Sequence, residues 1–259
     1  MQDKLIVFTY EAHEPSKPFL ICDINDGRIF EDPLVLFAHP EYDINNGNEQ
    51  GLYAIGGQLD IPTLISAYKW GIFPWFPFKY CEDPFWHCPK ERYVIIPEDI
   101  HIGHSLRNKI NKKKYHITVN KDFPRVIHNC RMIDSRDENI NSWLSDELEK
   151  LFIELHVLGY AKSIEVWEGE ELAGGFYGFW HNGVFQGESM FSLQPSASQV
   201  GLALLCKHPY IDGQRIKLID TQFETPTFKH LGGRYIPYAL YRSIMDERVE
   251  NDERDKPLF

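Results

Sequence analysis

Apolar residues recur at helical spacing in three segments of the chain. In residues 60–71, a capping Asp60 and a proline in the first turn precede an apolar stripe that ends at Gly71, and these are the start and stop signals of a helix. In residues 145–158, leucines recur at helical intervals before a closing glycine, and residues 196–207 are apolar and compatible with a helix. The pattern therefore predicts three helices.

The other apolar segments of the C-terminal half predict strands. Two of them flank a turn at Gly169, and Asn182-Gly183 is the dipeptide most typical of a two-residue hairpin. The predicted strands are 163–167, 172–179, 184–186 and 215–222. Because antiparallel strands are followed by a helix and one more strand, the order of elements predicts an α+β fold.

The N-terminal part of the chain has a weaker pattern. The first forty residues alternate apolar and polar character around two prolines and a glycine, which predicts short strands and turns. Residues 72–78 combine aromatic residues with two prolines. Because prolines exclude most regular structure, we expect these aromatic side chains on a rigid loop.

The composition restricts the class of protein. The chain has 259 residues, of which 43% are hydrophobic and 14% aromatic, so a packed core is feasible. It has no apolar run long enough to cross a bilayer and no leader-like N-terminus. We therefore expect a cytoplasmic protein with one large domain, or with two domains that share an interface.

The cysteines predict reduced thiols. They are odd in number and scattered, at Cys22, Cys81, Cys88, Cys130 and Cys206. Two histidines lie near them, His87 beside Cys88 and His128 two residues before Cys130, but neither arrangement has the paired C-x-x-C spacing of structural zinc. We therefore expect no metal.

Charge is unevenly distributed along the chain. The formal net charge of -11 argues against nucleic acid as a partner of the chain as a whole. One short segment is nevertheless basic and carries Arg107, Lys109, Lys112, Lys113 and Lys114. This basic cluster either contacts a phosphate backbone or is a solvated loop.

Three polar residues interrupt apolar strands. Glu188 directly follows the strand at 184–186 and a glycine, and Asp220 and Gln222 are two positions apart in the last strand, so we expect both on one face. A buried carboxylate is costly unless it is paired or functional. Either these residues form a site, or Asp220 caps a loop and Glu188 pairs with a nearby basic residue.

Common catalytic motifs do not match the chain. Around Ser189, Phe191 occupies the last glycine position of G-x-S-x-G, which argues against a serine hydrolase. The sequence also has neither a Walker loop nor G-x-G-x-x-G, so nucleotide hydrolysis and dinucleotide chemistry lack their usual loops.

Several blocks of sequence, in one order, closely resemble the leucyl/phenylalanyl-tRNA–protein transferases. They are LYAIGGQL at 52–59, AY at 67–68, GIFPWF at 71–76, SIEVW at 163–167, GFYG at 175–178, FQGESMFS at 185–192, AS at 197–198 and LIDTQ at 218–222. The resemblance extends over about residues 36–241. Because many independent blocks agree, chance similarity is very improbable.

The resemblance implies a fold and a reaction. We expect a small N-terminal domain (1–95) that contributes to aminoacyl-adenosine binding, and an acetyltransferase-like (GNAT-like) catalytic domain (96–259) with a mixed sheet flanked by helices. Such enzymes transfer Leu or Phe from charged tRNA to proteins with N-terminal Arg or Lys and so mark them for N-end-rule degradation. The implied partners are aminoacylated tRNA carrying Leu, Phe or Met and an acceptor with a free N-terminus. A monomer with no cofactor, metal or membrane partner is expected.

The resemblance also assigns roles to residues. Asp220 and Gln222 match the catalytic pair, and Glu188 matches a residue that orients substrate amino groups. Trp75 and Trp143 resemble the aromatic residues that bind the terminal adenosine. Further expected substrate-binding residues are Phe176, Phe185, Met190, Ser192 and Leu202, and the basic cluster is the expected tRNA contact. In the expected mechanism, Asp220 accepts a proton from the attacking amine or stabilises the developing ammonium, directly or through Gln222.

The chain departs from the family pattern in places. Residues 85–92 read FWHCPKER, where the family usually has WWSPDPR, and Phe176 stands where Met is common. Other departures are Gln199, Thr221, His230 and an N-terminal extension. Because Lys90, Arg92 and Arg234 would suit an acidic acceptor, N-terminal Asp or Glu is the alternative to Arg or Lys; surface placement is the other interpretation of these three residues.

Three other functions share part of this pattern. An acyl-coenzyme A acetyltransferase would need a Q/R-x-x-G-x-G/A loop, which the sequence lacks. A peptidoglycan-type aminoacyl-tRNA transferase generally has two copies of the domain, and this chain has room for one. The third alternative is a catalytically inactive tRNA-binding protein, against which intact Glu188, Asp220 and Gln222 argue.

Overall fold

The computed structural model describes residues 18–20, 51–56, 59–76, 84–134 and 144–247. The helices in these ranges are α1 (Ile61–Lys69), α2 (His104–Asn111), α3 (Phe123–Asp134), α4 (Asp146–Val157), α5 (Ala197–Lys207), α6 (Pro226–His230) and α7 (Tyr238–Asp246), with a 3-10 helix at Pro97–Asp99. The strands are β1 (Pro18–Leu20), β2 (Leu52–Gly56), β3 (Phe73–Trp75), β4 (Phe85–His87), β5 (Glu91–Ile95), β6 (His116–Val119), β7 (Ala161–Glu168), β8 (Glu171–His181), β9 (Val184–Ser192), β10 (Tyr210–Ile211), β11 (Gln214–Arg215), β12 (Leu218–Gln222) and β13 (Arg234–Pro237).

Most of these strands belong to two sheets. The smaller sheet has the strand order β1-β2-β4-β3, and its neighbours are antiparallel. The larger sheet has seven strands in the order β13-β5-β12-β9-β8-β7-β6. Strands β9 and β12 run parallel, and its other neighbouring strands are antiparallel. The predicted α+β class with a mixed sheet is therefore confirmed.

Helices cover both faces of the large sheet. Helices α3 and α4 pack on one face and α5 packs on the other. Phe176 and Tyr177, neighbours on β8, belong to different apolar clusters, because successive side chains of a strand point to opposite faces. Since both faces are covered, β7 and β8 are buried almost throughout and do not alternate between apolar and polar residues.

The predicted helices and the hairpin follow their local sequence signals. Asp60 accepts a hydrogen bond of 2.9 Å from a first-turn amide of α1, and Ser145 accepts one of 3.1 Å at the start of α4. Asn182 and Gly183 have φ angles of 49° and 81°, as a tight turn between β8 and β9 requires. These three predictions are confirmed, and α5 forms as expected.

Two predicted segments differ from the structure. The sequence predicts a rigid loop at 72–78, but Phe73–Trp75 forms β3 and pairs with β4. That prediction was wrong for these residues, because β3 is an edge strand and an edge position tolerates a proline. The predicted strand 215–222 is also divided, since β11 pairs with β10 in a separate ribbon and β12 begins at Leu218.

Two further points concern the N-terminal part and the membrane. Within the first forty residues, the described part is β1, which pairs with β2. Strand β5 belongs to the large sheet, and the division of the chain at residue 95 stays a prediction. No helix in the described ranges is long and apolar enough to cross a membrane.

Candidate active site

A cavity of about 340 Å³ lies where β9 and β12 stop pairing. The two parallel strands pair as far as Gln186 and Asp220. Glu188 and Gln222 lie beyond that last pair and line the cavity. Because neighbouring strands that no longer bond leave a gap in the sheet, side chains from both can face a bound molecule there.

Most of the residues that the sequence suggests as catalytic or substrate-binding line this cavity. They are Trp75, Phe176, Phe185, Glu188, Met190, Leu202 and Gln222. Ser192 is not among the lining residues, and its hydroxyl is hydrogen bonded to Ser198 at the start of α5, with an Oγ–Oγ distance of 2.8 Å. Trp143 lies outside the described residues. Asp220 lies behind the cavity wall rather than in its lining.

The polar end of the cavity is formed by Glu188 and Gln222. The side-chain amide of Gln222 donates a hydrogen bond of 3.0 Å to Glu188 Oε1. Burial raises the pKa of Glu188 to about 8, and the nearby Asp220 acts in the same direction, while Tyr68 and Gln222 act against it. The carboxyl of Glu188 is therefore largely protonated near neutral pH, and a bound ammonium group would favour its charged form.

Tyr68 lies behind this polar end, outside the cavity lining, and was not suggested by the sequence. Its side chain comes from α1 and is fully buried, and its hydroxyl lies close enough to the carboxylate of Glu188 to lower the pKa of that group. Burial raises the pKa of Tyr68 well above its ordinary value, and the charge of Glu188 adds to the rise. The hydroxyl of Tyr68 therefore favours the charged form of Glu188 from behind the cavity wall.

Asp220 has a different environment. It is fully buried, and its carboxylate pairs with the equally buried Arg92. The same oxygen accepts a hydrogen bond of 2.8 Å from the Tyr241 hydroxyl, and the other oxygen accepts one of 2.8 Å from the backbone amide of Gln222. Burial alone would lower the pKa of Arg92, but the neighbouring Asp220 carboxylate raises it. Asp220 can therefore act on a bound substrate through Gln222 rather than by direct contact.

Asp220 and Gln222 do not share a face, although their spacing predicts it. The pairing of β12 with β5 shifts register between them, and Gln222 has a left-handed φ of 63°. Such an irregularity turns the following side chain away from the regular alternation. The expectation of a common face was therefore wrong. A left-handed residue other than glycine is uncommon, and here the hydrogen bond between Asp220 and the Gln222 amide stabilises it.

Aromatic residues form the other walls of the cavity. Trp75 on β3 is 38% exposed and packs against Phe223, with ring centroids 4.9 Å apart. Such a partly exposed indole at the rim is suited to stacking on a flat ring. Phe176 and Phe185 meet edge to face at 6.0 Å and form an apolar wall together with Leu202.

The basic cluster lies on α2 and in the turn that follows. Lys109 donates to Ser196 Oγ at 2.6 Å, and Lys114 pairs with Glu168 at 3.0 Å. Arg107 donates to a backbone carbonyl, and Lys112 and Lys113 are exposed. Apart from the half-buried Lys109, the cluster is therefore exposed, and Arg107 and Lys114 have surface partners.

The basic residues considered for an acidic acceptor are not grouped. Arg92 is fully buried against Asp220, so its assignment to the surface or to an acceptor was wrong. Arg234 pairs with Asp99 at 2.8 Å, and Lys90 is exposed. In the sequence, Arg92 directly precedes a run of apolar strand residues. A buried arginine that is paired with a carboxylate gives the same pattern as an exposed one, so the sequence alone does not distinguish the two.

The described ranges contain no group of three or more His, Cys, Asp or Glu side chains that could hold a metal ion. Cys88, Cys130 and Cys206 are buried, and Cys22 and Cys81 lie outside the described residues. Burial raises the pKa of both Cys88 and Cys206 to about 12. These two thiols therefore stay protonated near neutral pH and are poor nucleophiles.

Comparisons with known proteins agree on one family. The family model described as leucyl/phenylalanyl-tRNA protein transferase matches residues 94–246, and the model of its N-terminal domain matches residues 57–90. A leucyl/phenylalanyl-tRNA–protein transferase of Shewanella baltica is 40% identical over 216 residues, which cover 83% of this chain and 87% of the relative. One of Flavobacterium johnsoniae is 39% identical over 220 residues, which cover 85% of this chain and 99% of the relative.

A solved structure of a protein of unknown function from Bacteroides thetaiotaomicron aligns with 62% of this chain and 57% of its own chain, at 12% identity. The TM-score of this alignment is 0.36, which is too low to support an argument. The family matches need no such support, because they span most of the large sheet and the cavity between β9 and β12. The chain belongs to the leucyl/phenylalanyl-tRNA–protein transferase family and is a transferase enzyme.

Proposed function

We propose that this enzyme transfers Leu or Phe from charged tRNA to the N-terminal α-amine of proteins that begin with Arg or Lys, in the cytoplasm, and so marks them for N-end-rule degradation. The observation that supports this most is the cavity itself. It combines an apolar pocket with the Glu188–Gln222 pair at one end and Trp75 at its rim. These are the three features that an aminoacyl-adenosine with an apolar side chain requires.

The apolar pocket is assigned to the side chain of the donor amino acid. Phe176, Phe185, Met190 and Leu202 line it, and they offer hydrophobic contacts without a buried charge. Trp75 is assigned to the terminal adenosine, which would stack on its exposed ring. Together these contacts would hold the ester carbonyl between the aromatic wall and the polar end.

Glu188 and Gln222 are assigned to the amino groups. The donor is already an activated ester, so amide formation is downhill without ATP, metal or coenzyme. The attacking α-amine must be neutral, and with a pKa of about 7.7–8.0 a substantial part is protonated at neutral pH. The Gln222 side chain can orient the amine, and the ionised form of Glu188 can accept its proton, with Asp220 assisting through the backbone of Gln222. As the C–N bond forms, the ester C–O bond breaks, and the departing ribose oxygen of the tRNA takes up the proton.

The proposal includes an acetyltransferase-like fold for the C-terminal domain and a monomeric enzyme. The gap between the parallel strands β9 and β12 supports the fold assignment, because a substrate would enter the sheet there. The aromatic strand β3 of the N-terminal part supplies Trp75 to the cavity, and Tyr68 of α1 lies beside Glu188 behind its lining. This arrangement supports an N-terminal domain that contributes to the binding of aminoacyl-adenosine.

The basic cluster is assigned to the tRNA backbone, chiefly through the exposed Lys112 and Lys113. We expect Lys112→Gln combined with Lys113→Gln to weaken tRNA binding and to lower the slope of log K against log[salt] by about 1–2, since each neutralised phosphate contributes somewhat less than one unit. Filter binding of charged tRNA at several salt concentrations measures this slope. The exposed Lys207→Gln is the matched control, and an unchanged slope in the double variant would contradict the assignment.

Peptide transfer tests the proposed function. Radiolabelled Leu or Phe on tRNA is offered with peptides that begin with Arg, Lys, Asp, Glu or Ala. We expect transfer to Arg and Lys peptides only. Transfer to Asp or Glu peptides would preserve the reaction and replace the acceptor. No transfer to any peptide, with tRNA binding retained, would favour a catalytically inactive tRNA-binding protein.

A further inference from the structure

We propose that Arg92 is a positioning residue that couples the two walls of the cavity, so that the aromatic strand β3 and the Gln222 turn of β12 keep one fixed separation. The inference rests on the proposed function only in assigning the donor to this cavity. Arg92 itself touches no substrate, since it is fully buried behind the cavity and is absent from its lining.

The guanidinium of Arg92 joins groups from both walls. One terminal nitrogen donates a hydrogen bond of 2.6 Å to the backbone carbonyl of Gly71, and the other bonds to Asp220. Its central carbon lies 4.9 Å from the ring centroids of both Phe73 and Tyr241. A planar group with two donors at a fixed angle therefore links β5, which carries it, to β3 and β12.

The contact with Gly71 fixes the start of the aromatic wall. Gly71 has a φ of +71°, and a Cβ at this position would come within 2.5 Å of a ring carbon of Tyr241. Close packing against Tyr241 and the left-handed φ therefore restrict the backbone at Gly71. Strand β3 begins two residues later. Because Trp75 is on this strand, the direction of the Gly71 carbonyl determines where its ring lies at the cavity rim.

The contact with Asp220 fixes the polar wall. The oxygen of Asp220 that does not bind Arg92 accepts the amide of Gln222 and stabilises its left-handed conformation. The side chain of Gln222 then reaches Glu188 at 3.0 Å. A displacement of Arg92 would therefore move the Gln222 amide and the Trp75 ring relative to one another, and a misplacement of this kind is costly to the rate.

A matched control exists in the same fold. Arg242 on α7 is also buried, donates to the carbonyl of Lys69 at the end of α1, pairs with Asp246 at 2.7 Å, and lies 4.4 Å from the ring of Trp70. It resembles Arg92 in burial and in the chemical kind of its partners, although Asp246 is 65% exposed and Asp220 is not exposed at all. None of the partners of Arg242 lines the cavity, whereas Phe73, beside Arg92, does. A lysine at either position keeps the charge and loses the two-point geometry.

Steady-state kinetics with charged tRNA tests the coupling. We expect Arg92→Lys to raise KM for the donor and to lower kcat, each by about 10-fold or more, and Arg242→Lys to change both by less than about 3-fold. In the double variant Trp75→Ala/Arg92→Lys, the increase in KM should be smaller than the two single increases combined. In Trp75→Ala/Arg242→Lys, the two single effects on KM should combine without such a deficit. Unchanged kinetics in Arg92→Lys, or equal losses in both lysine variants, would overturn the inference.

Hydrogen exchange on the full chain gives a second test that does not need activity. Arg92→Lys should speed amide exchange in both residues 71–76 and residues 221–223, and Arg242→Lys in neither. Faster exchange in only one of the two segments would overturn the coupling. A second variant, Arg92→Gln with Asp220→Asn, removes both buried charges together and should give the same result without leaving one of them unpaired. Lack of transfer by the unaltered enzyme would overturn the proposed function, and exchange would still decide on Arg92.

Discussion

Two carboxylates on neighbouring strands of one sheet have opposite environments. Asp220 is enclosed, with Arg92, Tyr241 and the Gln222 amide around its two oxygens. Glu188 faces the cavity, where its hydrogen bond from Gln222 leaves it able to accept others, and burial raises its pKa to about 8. The carboxylate of Asp220 therefore stabilises the fold, and the carboxylate of Glu188 is the one that a substrate can contact.

The comparison shows why an acidic residue in an apolar strand is ambiguous as a sequence signal. Burial of a carboxylate is costly unless a partner compensates it, and a partner removes its reactivity. Gln222 connects the two cases, because its backbone bonds to Asp220 and its side chain bonds to Glu188. The proposed catalytic pair would thus be divided here into an anchor, Asp220, and a substrate contact, Gln222.

The largest expected effect is on the anchor. Asp220→Ala leaves the buried Arg92 without its counter-ion, and we expect a loss of about 3–5 kcal/mol in the free energy of unfolding. Urea denaturation measures it, with Glu188→Ala as the matched carboxylate control, for which we expect a smaller loss. An Asp220→Ala protein as stable as the unaltered enzyme would contradict the anchor and favour a direct base.

The next effect concerns the pH dependence of stability at Glu188. Its pKa is about 8 in the folded protein against an ordinary value of 4.5, so the folded state binds more protons and stability falls as pH rises through this range. Glu188→Gln cannot ionise. About 3 pKa units of the shift lie between pH 5 and pH 9, so the Tm of this variant should rise relative to that of the unaltered enzyme by about 8–16 °C over that range. Scanning calorimetry at several pH values measures the difference. A difference that does not change with pH would contradict the raised pKa.

The smallest effect distinguishes two buried tyrosines. The Tyr68 hydroxyl lies beside Glu188, whose carboxyl has a raised pKa, whereas that of Tyr241 donates to the buried, ion-paired Asp220. We expect Tyr68→Phe to lower the free energy of unfolding by about 0.5–1.5 kcal/mol, and Tyr241→Phe to lower it by about 1.5–3 kcal/mol, because a bond to a charged partner is the stronger one. Equal losses in denaturation experiments would contradict this difference between the two carboxylates.

Local signals predicted much of the fold. The Asp60 and Ser145 caps and the Asn182-Gly183 turn act over a few residues, so their outcome depends little on the rest of the chain. Strand β3 was missed because its pairing with β4 is a tertiary contact that overrides the local effect of the proline. The split between β11 and β12 likewise depends on which strand each one meets.

The site was predicted in part. The resemblance identified the cavity residues, because sequence motifs preserve residue types in order. It could not show that a register shift separates Asp220 from Gln222, since the regular alternation of a strand predicts the opposite. Arg92 and Tyr241 were missed as partners of Asp220 because they are distant in sequence, and nothing in a single chain indicates such pairing.

The central claim is that amide formation takes place at Glu188 and Gln222, with Asp220 behind them, and one variant tests it most directly. Gln222→Asn tolerates the left-handed backbone but shortens the amide, so it should no longer reach Glu188. In single-turnover transfer from saturating charged tRNA, we expect a rate about 10²-fold lower, and a Tm within about 2 °C of the unaltered enzyme. A full rate in this variant would contradict the account.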